Sequence, residues 1–251
     1  MQSASLGEGE YSSEVLAENH KEIVMDMISR SFADKGDLTT LANVNYDHIK
    51  DQMEVLWHSI LAANLSLVVR DSAGQLIGSC INFDARSEEA EPLCATSAFS
   101  RAMTDEERRE ERKKRRRDRE AAADTEDEPV PLSVVDFLEV IEAPLKEAHL
   151  PQERGRYIYT SMLGTARELS AAENVRVAVF LERENLRHAQ QLGFRGVFTT
   201  NANRLTQEIS RQLDYTILAT VHVNQYEDDH GRRPFASAPD DLVCEVAIKT
   251  F

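Results

Sequence analysis

The chain has 251 residues, 41% of them apolar, and a formal net charge of −15. That length suits one large domain or two small ones, with enough apolar material for a sizeable core. The acidic balance argues against nucleic acid and anionic membrane surfaces as partners, since both require a basic face, and it suits a cationic substrate such as an amine.

Residues 1–10 are small, polar and Gly-containing, and read as an N-terminal tail. Tyr11 to Ala17 predicts a short first strand. Val24, Ile28 and Phe32 recur at helical spacing, so Glu18 to Phe32 predicts a helix that Asp34-Lys35-Gly36-Asp37 breaks. Ile49, Met53, Leu56 and Ile60 put one apolar face on a second helix, Tyr46 to Ala63, with Trp57 bordering that face as a core residue. Ser66 to Arg70 and Leu76 to Asp84 flank Asp71-Ser72-Ala73-Gly74 and predict an antiparallel hairpin. Residues 104–128 are almost entirely charged and have no aliphatic stripe. They read as a solvated or disordered surface insertion, and the acidic residues around Lys113 to Arg117 argue against a nucleic-acid patch. Val134, Val135, Leu138, Ile141 and Leu145 mark the next helix, with Pro144 near its end.

The central unit runs from Tyr157 to Tyr215. Tyr157 to Leu163 predicts a strand ending at Gly164, and Thr165 to Leu169 a loop. Ser170 is a good N-cap for a helix that stops at Gly193. Gly196 to Thr200 predicts a strand and Asn203 to Leu213 a helix. A strand–helix–strand unit of this length implies a parallel pair. Thr216 to Tyr226 and Leu242 to Phe251 predict two closing strands around a polar loop. The sum is an α/β fold of one domain, residues 11–251, with a mixed sheet flanked by helices.

Cys80, Cys94 and Cys244 show no metal-site spacing, and their odd number points to a reducing, cytoplasmic setting. The seven histidines form no HxxxH or HExxH pair, so no metal is expected. No apolar run approaches the length that crosses a bilayer, and the N-terminus has no signal-peptide core.

The element order resembles the GCN5-related N-acetyltransferase (GNAT) fold. In that fold a Q/R-x-x-G-x-G/A loop before the central helix holds the coenzyme A pyrophosphate. Here the corresponding run is Ser170-Ala171-Ala172-Glu173-Asn174-Val175-Arg176, without a glycine. Side chains obstruct the close approach of backbone amides, and Glu173 adds negative charge where an anion would sit; Arg176 offsets part of it. This argues against coenzyme A as the donor. Three further runs, LGFRGVFTTNANRLTQEI at 192–209, VHVNQY at 221–226 and RRPFASAPDD at 232–241, resemble the C-terminal amine-selecting, condensation-like domain of insect β-alanyl-amine synthases. That family is built like a short nonribosomal peptide synthetase, and this part of it is similar in fold to arylalkylamine N-acetyltransferases. The resemblance implies transfer of β-alanine from the phosphopantetheine thioester of a carrier domain to a biogenic amine, dopamine or histamine. Upstream adenylation and carrier domains of the same polypeptide are the implied partners. A coenzyme A-dependent arylalkylamine N-acetyltransferase and a non-catalytic docking module stay open as alternatives.

Amide formation needs an acceptor for the amine's proton, a donor to the thioester oxygen and a proton for the leaving thiolate. The resemblance puts backbone amides at Met162, Leu163 and Gly164 against the pantetheine and its carbonyl. The glutamate base of insect arylalkylamine N-acetyltransferases falls on Gly36 when Leu38 is aligned, which leaves Asp34 or Asp37 as the base; either could instead cap a turn. In many N-acetyltransferases of this fold a tyrosine serves as the acid; its position aligns with Ser210, whose hydroxyl could donate to sulfur but which by itself reads as an ordinary helix-surface serine. Cys80 reads as a buried, inert thiol, and His188 as a solvated residue on a polar face. The first-to-second helix connection and the hairpin are the expected walls of the amine slot.

Overall fold

The computed structural model describes residues 10–87, 132–228 and 231–251. The expected charged insertion at 104–128, Cys94, and the tail up to residue 9 lie outside them. The elements are β1 (Tyr11–Val15), α1 (Lys21–Lys35), α2 (Asp37–Leu41), α3 (Tyr46–Ala63), β2 (Leu67–Asp71), β3 (Leu76–Asp84) and α4 (Leu132–His149). They continue as β4 (Tyr157–Thr165), α5 (Ala171–Gln191), β5 (Gly196–Asn201), α6 (Arg204–Gln212), β6 (Thr216–His222) and β7 (Val243–Thr250). Short 3-10 turns, Glu18–His20 and Val223–Gln225, precede α1 and follow β6.

Local chemistry sets the boundaries. Asn45 caps α3, its side chain accepting from the His48 amide at 3.0 Å, and Asn64 closes that helix in the left-handed region. Gly74 takes a φ of +80° in the β2–β3 turn, as the sequence suggested. Ser170 and Asn203 cap α5 and α6. The sequence did not anticipate α2. Gly36 ends α1, and Thr39 then donates its hydroxyl to the carbonyls of Phe32 at 2.5 Å and Gly36 at 3.0 Å, which folds the next five residues into one tight turn of helix. Pro144 lies near the end of α4, as expected, and the helix continues past it to His149.

The seven strands lie in the order β1-β2-β3-β4-β5-β7-β6. Among the described strands only β4 and β5 run parallel; the other neighbours are antiparallel. Strand side chains alternate between faces, and both faces are covered. One face packs Tyr157, Tyr159 and Phe198 with α1, α3 and α4 through Ile28, Met53, Trp57 and Phe137. The other packs Leu67, Val69 and Cys80 under Val177 and Leu181 of α5. Trp57 is buried as expected, and its Nε1–H donates to Glu18 at 2.9 Å. Among the described residues, no helix is long and apolar enough to cross a membrane.

Candidate active site

Strands β4 and β5 pair only from Tyr157–Gly196 to Thr160–Thr199. Beyond that rung they separate. On the far side of β4, Thr160 pairs with Asn82 and Met162 with Ile81, so Ser161 is the extra residue of a bulge that bends the strand. Beyond the rung β5 stays bound to β7 through Thr200–Val246 and Asn201–Glu245. The last rung is reinforced by side chains: Thr199 Oγ1 donates to the Thr160 carbonyl at 3.1 Å, and Asn185 Nδ2 to Thr160 Oγ1 at 2.8 Å. The divergence opens a gap through the sheet.

A cavity of about 140 Å³ occupies this gap. It is close to the roughly 150 Å³ of an engineered cavity that accepts benzene, so it has room for one aromatic ring. Helices of both layers line it: Phe32, Gly36 to Thr39 and α4 on one face, α5 and α6 on the other. Met162, Leu163, Leu138, Val134 and Ile209 give it an apolar body. Its charged lining is acidic only: Asp37, Glu142 and Glu182, with no basic side chain among the described residues that line it.

Each carboxylate has a different setting. Asp37 is exposed at the mouth. Glu142 is 1% exposed; it accepts from the Tyr159 hydroxyl at 3.0 Å and pairs with Lys146 Nζ at 3.0 Å. That ammonium also lies 4.1 Å from the centre of the Tyr159 ring, a cation–π contact. Burial, then the Glu142 charge, pushes the Tyr159 hydroxyl well above its ordinary range, so it stays a donor. Glu182 is 7% exposed and accepts from the Tyr215 hydroxyl. Burial raises its pKa, against the opposing hydrogen bonds of Tyr215 and Asn185.

The structure sorts the residues expected from the sequence. Asp37, Ser210, Met162 and Leu163 all line the cavity. Ser210 is no surface serine: it is 4% exposed, and its Oγ accepts from Asn201 Nδ2 at 2.9 Å, leaving its hydroxyl hydrogen for another acceptor. Asp34 is exposed and is not part of the lining. Nor is Gly164, which gives room to α1 instead: a Cβ there would lie 2.8 Å from Ile28 Cδ1. Of the two expected walls, the first-to-second helix connection is present. The hairpin is not; α4 and the β4–β5 divergence take its place. His188 is half-buried rather than solvated: burial lowers its pKa, opposed by a hydrogen bond with the Asn64 backbone. Cys80 is fully buried, and burial raises its thiol to about 12.

The sequence reading missed Glu142 and Glu182, although each leaves a trace. Glu142 interrupts the apolar run Phe137, Leu138, Ile141, Leu145, and Glu182 and Asn185 fall on the stripe of Ala178 and Ala189. A charge on the core side of an amphipathic helix is the available signal.

The start of α5 is already filled. Glu173 turns back to accept from the Ser170 amide at 3.0 Å and from its hydroxyl at 2.6 Å, while Ser170 Oγ accepts from the Glu173 amide at 3.3 Å. This reciprocal cap, with the Ser170 hydroxyl bond as its largest cause, lowers the Glu173 pKa and holds a carboxylate at the helix N-terminus. Arg176 is drawn to Glu10, 3.6 Å away. A pyrophosphate placed here would face the Glu173 carboxylate.

The beta-alanyl-bioamine nonribosomal peptide synthetase Ebony of Drosophila melanogaster is 30% identical over 225 residues, which is 88% of this chain. The C-terminal condensation domain of Ebony, solved in complex with beta-alanyl-dopamine, superposes with a TM-score of 0.78 at 29% identity and covers 96% of this chain and 99% of that one. The chain is a homologue of the Ebony condensation domain. It spans about a fifth (22%) of full-length Ebony. Arylalkylamine N-acetyltransferase 2 of Aedes aegypti, at 13% identity, a TM-score of 0.67, and coverage of 96% of this chain and 98% of that one, shares the fold, which is GNAT-like. No protein-family model matches the chain. Two features of its own residues bear on the donor: Glu173 at the helix start, and a cavity whose charged lining among the described residues is acidic.

Proposed function

We propose that this domain transfers β-alanine from the phosphopantetheine thioester of a carrier domain to a biogenic amine such as dopamine or histamine. Adenylation and carrier domains upstream in the same polypeptide would supply the loaded donor, in the cytoplasm. The observation that carries the reading is the cavity at the β4–β5 divergence, large enough for one aromatic ring, with an apolar body and three carboxylates and no basic side chain among the described residues that line it. Such a lining favours amines and disfavours polyphosphate. The strand gap suits an uncharged pantetheine arm, and the filled helix start does not suit a nucleotide.

The pantetheine arm contributes the thioester that activates the acyl group. The C–N bond forms as the C–S bond breaks, so the amine must lose a proton and the sulfur must gain one. Asp37, at the solvent end, takes the amine's proton directly or through water. The amide of Leu163, which alternation along β4 turns to the edge that β5 leaves, polarises the carbonyl, beside Met162 in the cavity wall. The Ser210 hydroxyl donates to the departing sulfur. Asp34 and Gly164 have no part in this scheme.

The test is the domain supplied with a β-alanyl-loaded carrier protein and dopamine, with product followed by mass spectrometry. β-Alanyl-dopamine should form, and Asp37→Asn should slow it about a hundredfold. Absence of product, or turnover of acetyl-coenzyme A in its place, would overturn the proposal.

A further inference from the structure

The three carboxylates of the cavity are not equivalent, and the difference bears on donor choice. Asp37 stands in water, and Glu142 is neutralised by Lys146. Glu182 is buried on the α5 face, and among the described residues no cation pairs with it. Its partners in the fold are neutral, the Tyr215 hydroxyl and the Asn185 side chain. A buried carboxylate without a counter-ion is costly. The expense persists in a cavity wall, where a ligand can reach the group. Glu182 also stands one helical turn before Asn185, whose amide holds Thr160 at the apex of the strand gap. It therefore lies beside the point where the acyl carbonyl and the amine would meet.

Under the function proposed above, two amino groups enter this cavity with opposite needs. The acceptor amine must lose its proton to attack. An uncompensated anion beside it would stabilise the ammonium and oppose that loss. The β-alanyl amino group must keep its proton, since as a free amine it would compete as nucleophile. Glu142, neutralised by Lys146, suits the acceptor; the uncompensated carboxylate suits the group that stays charged.

We infer that Glu182 selects the donor: its carboxylate receives the ammonium of the β-alanyl group and so distinguishes an aminoacyl thioester from a plain acyl thioester. This rests on the transfer reaction proposed above and goes beyond it in assigning the residue that reads the donor. The raised pKa of Glu182 agrees, because an incoming ammonium supplies the missing cation and draws the carboxyl back to its ionised form.

The test compares carrier proteins loaded with β-alanine or with butyrate, which has the same length but a methyl in place of the ammonium. Wild-type domain should prefer the β-alanyl donor in kcat/KM. Glu182→Gln, which keeps the shape and the acceptor for Tyr215, should lower that preference at least about tenfold, as expected for loss of one charge-assisted hydrogen bond. Glu182→Asp should retain most of it. Equal loss of both transfers would mark a structural role and overturn the inference, as would an unchanged preference. Calorimetric binding of the stable β-alanyl and butyryl pantetheine amides to wild-type domain gives a readout independent of turnover and of any variant's folding. Equal affinity for the two overturns the inference. Selective β-alanyl binding without amide product would overturn the transfer reaction instead.

Discussion

Replacing Lys146 by methionine tests the buried charge network at the acceptor end. The Lys146 and Glu142 side chains are 10% and 1% exposed, and the ammonium lies 3.0 Å from Glu142 Oε2. At that distance, with an effective dielectric near 20, the attraction is on the order of 5 kcal/mol. Methionine keeps most of the apolar stem over Tyr159 and removes the charge, so the variant retains the packing and leaves a carboxylate uncompensated. Breaking a buried pair in this way costs about 3–5 kcal/mol, a large share of the roughly 5–15 kcal/mol that holds a typical domain together. At about 2–4 °C per kcal/mol for a chain of this size, Tm should fall by about 10 °C. Urea denaturation measures the loss. Adding Glu142→Gln to the same chain removes the stranded charge and should recover more than half of it. A Lys146→Met variant within about 1 kcal/mol of wild type, or no recovery in the double variant, would refute the reasoning. The same substitution should move the rising limb of the pH–rate profile to higher pH, because the uncompensated anion holds the acceptor amine in its protonated form.

Three further outcomes are expected. Burial raises the Glu182 carboxyl above its ordinary 4.5, with the Tyr215 hydroxyl and the Cys80 thiol also facing it. The fold therefore favours the protonated form: the group's contribution is fully present below pH 4.5 and is lost as pH rises through the raised value. Wild-type stability relative to Glu182→Gln should accordingly fall as pH rises from about 4.5 and then level off; parallel urea curves across pH would contradict this. Ser170→Ala removes the hydroxyl that joins Glu173 in capping α5 and should cost about 1 kcal/mol, or a Tm loss of about 2–4 °C, without changing the transfer rate. Cys80 and Cys244 are buried with thiols raised to about 12, so in a Cys94→Ser background neither should react with a disulfide reagent at neutral pH until the chain unfolds; reaction of the native protein would show that the core opens.

Much of the architecture was legible in the chain because its elements obey local rules. Apolar spacing defined α3 at Tyr46–Ala63, the Ser170 cap began α5, and the Gly74 turn joined β2 to β3. The central unit also announced its parallel pair through the length of the crossover between β4 and β5. Less of the site could be read. Asp37 and Asp34 are three residues apart in one polar run, and nothing local says that only Asp37 meets the cavity. Ser210 looks like a surface serine until Asn201 closes over it.

The sequence by itself determined the α/β pattern, the acidic balance and the replacement of phosphate-loop glycines by a capping glutamate, since each depends on neighbours within a turn or a strand. Only the tertiary structure decided which carboxylates are neutralised and which stand alone. Glu142 finds Lys146 on its own helix but Tyr159 across the core, whereas Glu182, among the described residues, finds neutral partners, Asn185 on its own helix and Tyr215, 33 residues on. It also decided where the cavity opens. That depends on a bulge at Ser161 and on β7 entering between β5 and β6, both set by pairing between distant segments. The free energy of a buried charge depends on everything packed around it, and local spacing carries no record of that.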